Sequence, residues 1–197
     1  MSKSRRAFDE DVALQAAIRV FWEHGFRNAS MEMLCAAMGL RPQSVYLWMG
    51  DKRGLFLACL DYYATKYIPP PIVKMAKDGG EGLKSLSQLF DHWLEWANSQ
   101  DFPGCVVTLG LSEFGATDPE ILRALEGFED TFRTGLQKAL EKAKRDGDLD
   151  PTIEPRQAAA MIAMIRHGLM VEGRAGRSEG AAATIDFLRR ALFDKGA

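Results

Sequence analysis

The sequence is poor in the residue types that would tie it to an extracellular, membrane or metal-dependent role. It has only three cysteines in 197 residues, Cys35, Cys59 and Cys105. They are odd in number, far apart and without a CxxC pair, which argues against a disulfide framework and against a zinc site. No apolar run approaches the roughly 18 residues that span a bilayer, and the basic residues of MSKSRRAFDEDVA have no hydrophobic stretch behind them. No membrane association is therefore expected, and the expected location is the cytoplasm. GxSxG, HExxH, P-loop and GxGxxG patterns are all missing, and no carboxylates pair in an apolar setting, so the chain does not read as an enzyme and no cofactor or metal is expected. Internal repeats, low-complexity tracts and convincing strands are also lacking.

What is present is a soluble balance of 47% hydrophobic and 26% charged residues with a net charge of −2. That charge is uneven. Residues 1–67 carry nine Lys/Arg against seven Asp/Glu, and the remainder carries 16 against 20. A slightly basic front on an acidic body suits contact with a polyanion at one end, made through placed contacts rather than bulk charge.

The most informative stretch is SMEMLCAAMGLRPQSVYLWMGDK, from Ser30 to Lys52. Ser30 is a helix N-cap, and Met31, Leu34, Cys35 and Met38 recur at helical spacing before Gly39 ends the helix. Pro42 suits the first turn of a second helix, in which Val45 and Met49 face inward. Two helices of about two turns cannot bury a core alone and need bracing by neighbours. The spacing fits a helix-turn-helix DNA reader, whose second helix enters the major groove, and equally an ordinary helical corner.

The flanks add further helices. One is expected over about Asp9–His24, stopped by Gly25, and another over about Lys52–Tyr67, capped by Asp51. Phe21-Trp22-Glu23-His24-Gly25-Phe26, Ser30, Leu34-Cys35, Ala37-Met38-Gly39-Leu40, Val45-Tyr46 and Asp51-Lys52 together resemble the N-terminal domain of TetR-type (TetR/AcrR) transcriptional regulators. The match runs from about Arg6 to Tyr67 without insertion. It implies an all-α fold of about nine helices, with a three-helix helix-turn-helix domain plus its fourth helix in residues 1–67 and an effector-binding and dimerisation domain in residues 68–197. Residues 68–81, IPPPIVKMAKDGGE, read as a linker because prolines and glycines interrupt the helical period. Helices then follow over 82–99, 104–114, 119–145, Pro155–Gly173 and Ser178–Phe193, the last two expected to pair with their copies in a homodimer.

Geometry places Arg41, Gln43 and Ser44 at the leading end of the reading helix, where Arg and Gln can bond guanine and adenine edges respectively. The resemblance adds Tyr46 and Lys52 as phosphate contacts and Trp48 at a DNA-facing place, with packing on the fourth helix as its other reading. Ser30 and Arg6 complete the expected DNA-binding set. Glu32 near the same surface either points away or reads a cytosine amine. In the C-terminal part, Phe90, Trp93, Trp96, Cys105, Phe114, Phe128, Phe132, Met164 and His167 are the expected lining of an effector pocket, with core filling as the bland alternative at each. His92 and Glu113 are further polar groups able to orient a ligand. Cys105, behind Pro103-Gly104 at a helix start, is either a thiol sensitive to oxidants or electrophiles or a small apolar side chain. The function implied is a homodimeric regulator, a repressor released from a palindromic operator by an unidentified small-molecule effector. The alternative is an all-α small-molecule binding or electrophile-scavenging protein without sequence-specific DNA binding.

Overall fold

Local signals set the first four helices of the computed structural model, which describes residues 8–99, 104–115, 117–177 and 179–193. The Asp9 carboxylate accepts from the amides of Asp11 and Val12 at 2.9 and 3.3 Å and starts α1 (Glu10–Asn28). That helix is not continuous. Gly25 takes φ 73°, ψ 171°, so the expected stop at Gly25 is a sharp kink followed by one further turn. Ser30 Oγ accepts from the Met33 amide at 3.1 Å and opens α2 (Met31–Met38), which ends on left-handed Gly39 as expected. Pro42 is the first residue of α3 (Pro42–Met49), and Asp51 caps α4 (Lys52–Lys66) by accepting from the Gly54 amide at 2.7 Å.

The expected linker is a helix. Residues Pro70–Asp78 form α5, with Ile72 and Met75 fully buried. Prolines interrupt a helix from within, but these lie at the N-cap and first turn, where a missing N–H leaves no hydrogen bond unmade, and Gly79 sits just past the end. Proline at the front and glycine behind are the marks of a short helix. With α6 (Leu83–Ala97), α7 (Val106–Phe114), α8 (Pro119–Asp146), α9 (Pro155–Arg174) and α10 (Glu179–Phe193), ten helices stand where about nine were expected, and no strand occurs among the described residues.

Contacts divide the chain into two compact units. One takes the chain as far as Tyr67 together with Cys105–Leu125; the other takes Ile68–Gly104 and the chain from Glu126 onward. The first therefore holds a second stretch, α7 and the start of α8, beside residues 1–67. Its centre is aromatic: Phe21 meets Phe56 edge-on at 5.0 Å, and Phe26 and Phe56 lie 4.8 and 5.5 Å from Phe114. Ile18, Leu34, Val45, Leu55 and Cys59 complete that core with no exposure. In the second unit, Phe90, Trp93 and Phe132 are buried beside Leu86, Leu136, Ile162 and Leu188. No helix of the described residues is long and apolar enough to cross a membrane, and no group of three His, Cys, Asp or Glu among them could hold a metal.

Candidate nucleic-acid interface

The two-turn helix α3 is anchored by one residue. Val45 is fully buried, while Arg41, Gln43, Ser44, Tyr46 and Leu47 are all exposed around it. A helix held on one side only presents the rest of its circumference to solvent, and here that surface carries hydrogen-bonding groups at its leading end. Trp48 is half-buried and packs edge-on against Phe8 at 4.8 Å, so its ring is engaged on the protein side. Glu32 is exposed in the first turn of α2, and Ser30 is committed to its cap. Arg6 lies outside the described residues.

Lys52 is held on the protein side. Its ammonium donates to the carbonyls of Phe26, Ala29 and Arg27 at 2.9, 2.9 and 3.4 Å and lies 4.5 Å from the centre of the Phe26 ring. A cation placed on the last carbonyls of α1 satisfies acceptors that have no intrahelical donor. Lys52 thus ties the corner between α3 and α4 to the end of α1.

Glu113 supplies a second brace. Its carboxylate accepts from the amides of Phe26 and Arg27 at 2.7 and 2.9 Å, and Arg27 donates back to the Glu113 carbonyl at 3.1 Å. These amides open the short turn after the Gly25 kink, so Glu113 caps it from α7. Arg53 forms a fork on Asp118 at 2.7 and 2.9 Å and reaches Glu120 at 2.6 Å, joining α4 to the start of α8. The hydrogen bond from Arg53 holds the Asp118 carboxyl well below the usual carboxylate range and in turn raises the guanidinium.

The expected effector residues are distributed over both units. Cys105 and Phe114 belong to the first unit. Cys105 is the N-cap of α7, as its place behind Gly104 suggested, but it is buried and accepts a hydrogen bond from the Tyr63 hydroxyl at 3.5 Å. In the second unit Phe90, Trp93, Phe128 and Phe132 close on one another, with Trp93 and Phe132 stacked at 5.9 Å and Phe128 and Phe132 at 6.3 Å. Trp96 is half-buried beside His92. Met164 and His167 instead border an open cavity of about 540 Å³ between α8 and α9, with Glu129, Arg133, Gln137, Arg156, Ala160 and Ala163. One wall is a buried charge cluster. Arg166, 3% exposed, donates to Glu129 Oε1, and His167 Nε2 lies 3.3 Å from Glu129 Oε2. Burial alone would push Glu129 upward, but the His167 hydrogen bond and the Arg166 charge outweigh it and hold the carboxyl below its ordinary value.

Residues 82–191 match the family model of the tetracyclin repressor-like C-terminal domain, and residues 13–59 match that of the bacterial regulatory proteins of the tetR family. The chain belongs to the TetR family. Among its relatives is the HTH-type transcriptional repressor ComR of Escherichia coli K12, 25% identical over 182 residues, or 90% of this chain and 87% of ComR. A cysteine mutant of the TetR-family regulator CifR, solved with a 26bp double-strand operator DNA, matches at TM-score 0.80 and 28% identity over 95% of this chain and 98% of that one. The reduced form of E. coli NemR gives TM-score 0.82 over 95% and 98% of the two chains at 15% identity, a likeness of fold alone. This chain is thus a TetR-family transcriptional regulator and not an enzyme, which sets aside the reading without a DNA-directed role.

None of the three braces in this TetR-family chain (Lys52 on α1, Glu113 on the kink, Arg53 on Asp118) was anticipated as such from the sequence. The signal that was available is modest: each is a lone charged residue flanking an apolar helix.

Proposed function

We propose that this TetR-family chain is a homodimeric repressor that binds a palindromic operator through α3 and leaves it when a small-molecule effector binds. DNA reading falls to residues 1–67, with the braces from α7 and α8 fixing its register, and effector binding and dimerisation to residues 68–197. The observation that carries the reading is the exposed leading end of α3, where Arg41, Gln43 and Ser44 stand clear of a corner pinned at Val45 and Lys52. Arg41 and Gln43 have the donor patterns for guanine and adenine edges, and Tyr46, half-exposed on the next turn, suits a phosphate. The protein works where its operator lies, in the cytoplasm.

Dimerisation accounts for a second exposed surface. Met161, Met164 and Val171 on α9 are 44%, 75% and 51% exposed, with Ala160 just before them and Gly168 between them, and Phe187 on α10 is 61% exposed. Spacings of three and four put the α9 residues on one stripe, which a second copy would cover. Small residues in that stripe permit close approach. Met164→Glu is expected to yield a folded monomer by sedimentation equilibrium, while an unchanged dimer would place the interface elsewhere. The cavity between α8 and α9 shares Ala160 and Met164 with the stripe, so an effector seated there would act on the dimer face directly. It can shift the equilibrium only by its difference in affinity for the two states.

The test is titration of the purified protein with the DNA immediately upstream of its own gene, in rising salt and against competitor DNA. A discrete, competitor-resistant complex whose affinity falls steeply with salt is expected. Gln43→Ala should weaken it by about 1–3 kcal/mol, the size of one bidentate base contact. Equal binding of operator and random DNA by the wild type would overturn the assignment of α3.

A further inference from the structure

Leu47 is not accounted for by hydrogen bonding to bases or phosphates. It is 82% exposed, more than any other large hydrophobic residue among those described. Val45, two positions earlier, is completely buried, so Leu47 stands on the opposite face of α3. Gln43 shares that face four residues before it. Among the exposed side chains around α3, Arg41, Gln43, Ser44 and Tyr46 offer hydrogen-bonding groups, and only Leu47 and Pro42, the latter opening the first turn, offer none.

A single exposed leucine is ordinary on a protein surface. In the middle of a base-reading face it has a chemical counterpart. Hydrogen-bonding groups identify purine edges in the major groove, whereas thymine presents a C5-methyl group there that only an apolar contact recognises directly. We propose that Leu47 reads the C5-methyl of a thymine, and so makes one T·A pair in each half-site a determinant of operator choice. The proposal rests on α3 being the recognition helix. Four residues separate Gln43 from Leu47, about 6 Å along the axis, against about 3.4 Å between base pairs. The thymine therefore lies within about two base pairs of the adenine bonded by Gln43.

The experiment finds the operator as its first step. Full-length protein selects its sites from a random duplex library. Each thymine of the selected site is then replaced by deoxyuridine, which keeps every hydrogen-bonding group and removes only the methyl. Wild type and Leu47→Ala are titrated with each duplex by fluorescence anisotropy, circular dichroism confirming that the variant remains helical. One thymine per half-site should stand out, its replacement weakening wild-type binding by about three- to tenfold. Leu47→Ala should bind the thymine and uracil duplexes equally, at the weakened level. If no uracil substitution affects the wild type, or the same uracil effect persists in Leu47→Ala, the proposal is overturned. A loss in Leu47→Ala that is the same for thymine and uracil at every position, without a methyl effect in wild type, assigns Leu47 to sugar packing and also overturns it. The two readings fail separately: a selected site that needs Gln43 but ignores its methyl groups sinks only the role of Leu47, and a library that yields no enriched site sinks the recognition helix with it.

Discussion

Arg166→Met is expected to lower the free energy of unfolding by about 3–5 kcal/mol in urea denaturation, the loss seen when one partner of a buried ion pair is removed. Both members are almost fully enclosed, Arg166 at 3% and Glu129 at 7% exposure. The guanidinium also lies 4.7 Å from the Phe132 ring centre and 5.7 Å from that of Phe128, so its removal takes two aromatic contacts with it. Glu129→Gln keeps the shape but leaves the Arg166 charge buried without its counter-charge, and should cost a similar amount. The double variant should be less damaging than the two single losses added together, because the charge left behind by each is removed by the other. Single losses below about 1 kcal/mol would show the pair to be dispensable. A pH signature accompanies the pair. The Glu129 carboxyl is held below its ordinary value in the folded chain, so the unfolded state binds the proton more readily. This stability is fully present above the usual glutamate range and disappears as pH falls through the depressed folded value. Glu129→Gln should therefore differ most from wild type near neutrality and converge with it in acid.

Much of this architecture was legible because it is written locally. Ser30, Gly39, Pro42 and Asp51 act within three or four residues of where they stand, and each ends or begins the helix that its chemistry suggests. Of the two residues that helical spacing turned inward on α3, Val45 is fully buried and Met49, at its last turn, is half-buried. The same local reasoning failed at residues 68–81, where three prolines looked like a break although they occupy the N-cap and first turn of α5. The charged braces were out of reach for another reason. Glu113 meets Phe26 and Arg27 across more than 85 positions, Arg53 meets Asp118 across 65 and Arg166 meets Glu129 across 37, and nothing in a single sequence links such distant residues. The aromatic residues show the limit of composition. Phe90, Trp93, Phe128 and Phe132 have the character of a ligand lining, and in this structure they pack against one another in the buried core. Whether an aromatic side chain lines a void or closes it depends on neighbours that its own position does not name.

The other large effect is expected at the kink of α1. Gly25 combines φ 73° with ψ 171°, a region essentially restricted to glycine, where a side chain costs about 1–3 kcal/mol in backbone strain. A Cβ there would also collide with Glu113 Oε1, so the carboxylate that caps Phe26 and Arg27 would have to leave. Losing those charge-assisted bonds adds about 1–3 kcal/mol, and Gly25→Ala should therefore cost roughly 2–6 kcal/mol in thermal or urea unfolding. Glu113→Ala isolates the cap: it should cost only the second part, and adding Gly25→Ala to it should cost less than Gly25→Ala costs in the wild type, since the collision is gone. If Gly25→Ala proves as harmless as an ordinary surface change, the kink is not held as described. The consequence extends to DNA binding. The carbonyls of Phe26 and Ala29 are the acceptors on which Lys52 is fixed, and Lys52 opens the helix directly after α3. A shift of that turn moves the anchor of the reading corner, so Gly25→Ala should weaken operator binding even at temperatures where the variant remains folded, although Gly25 is no part of α3.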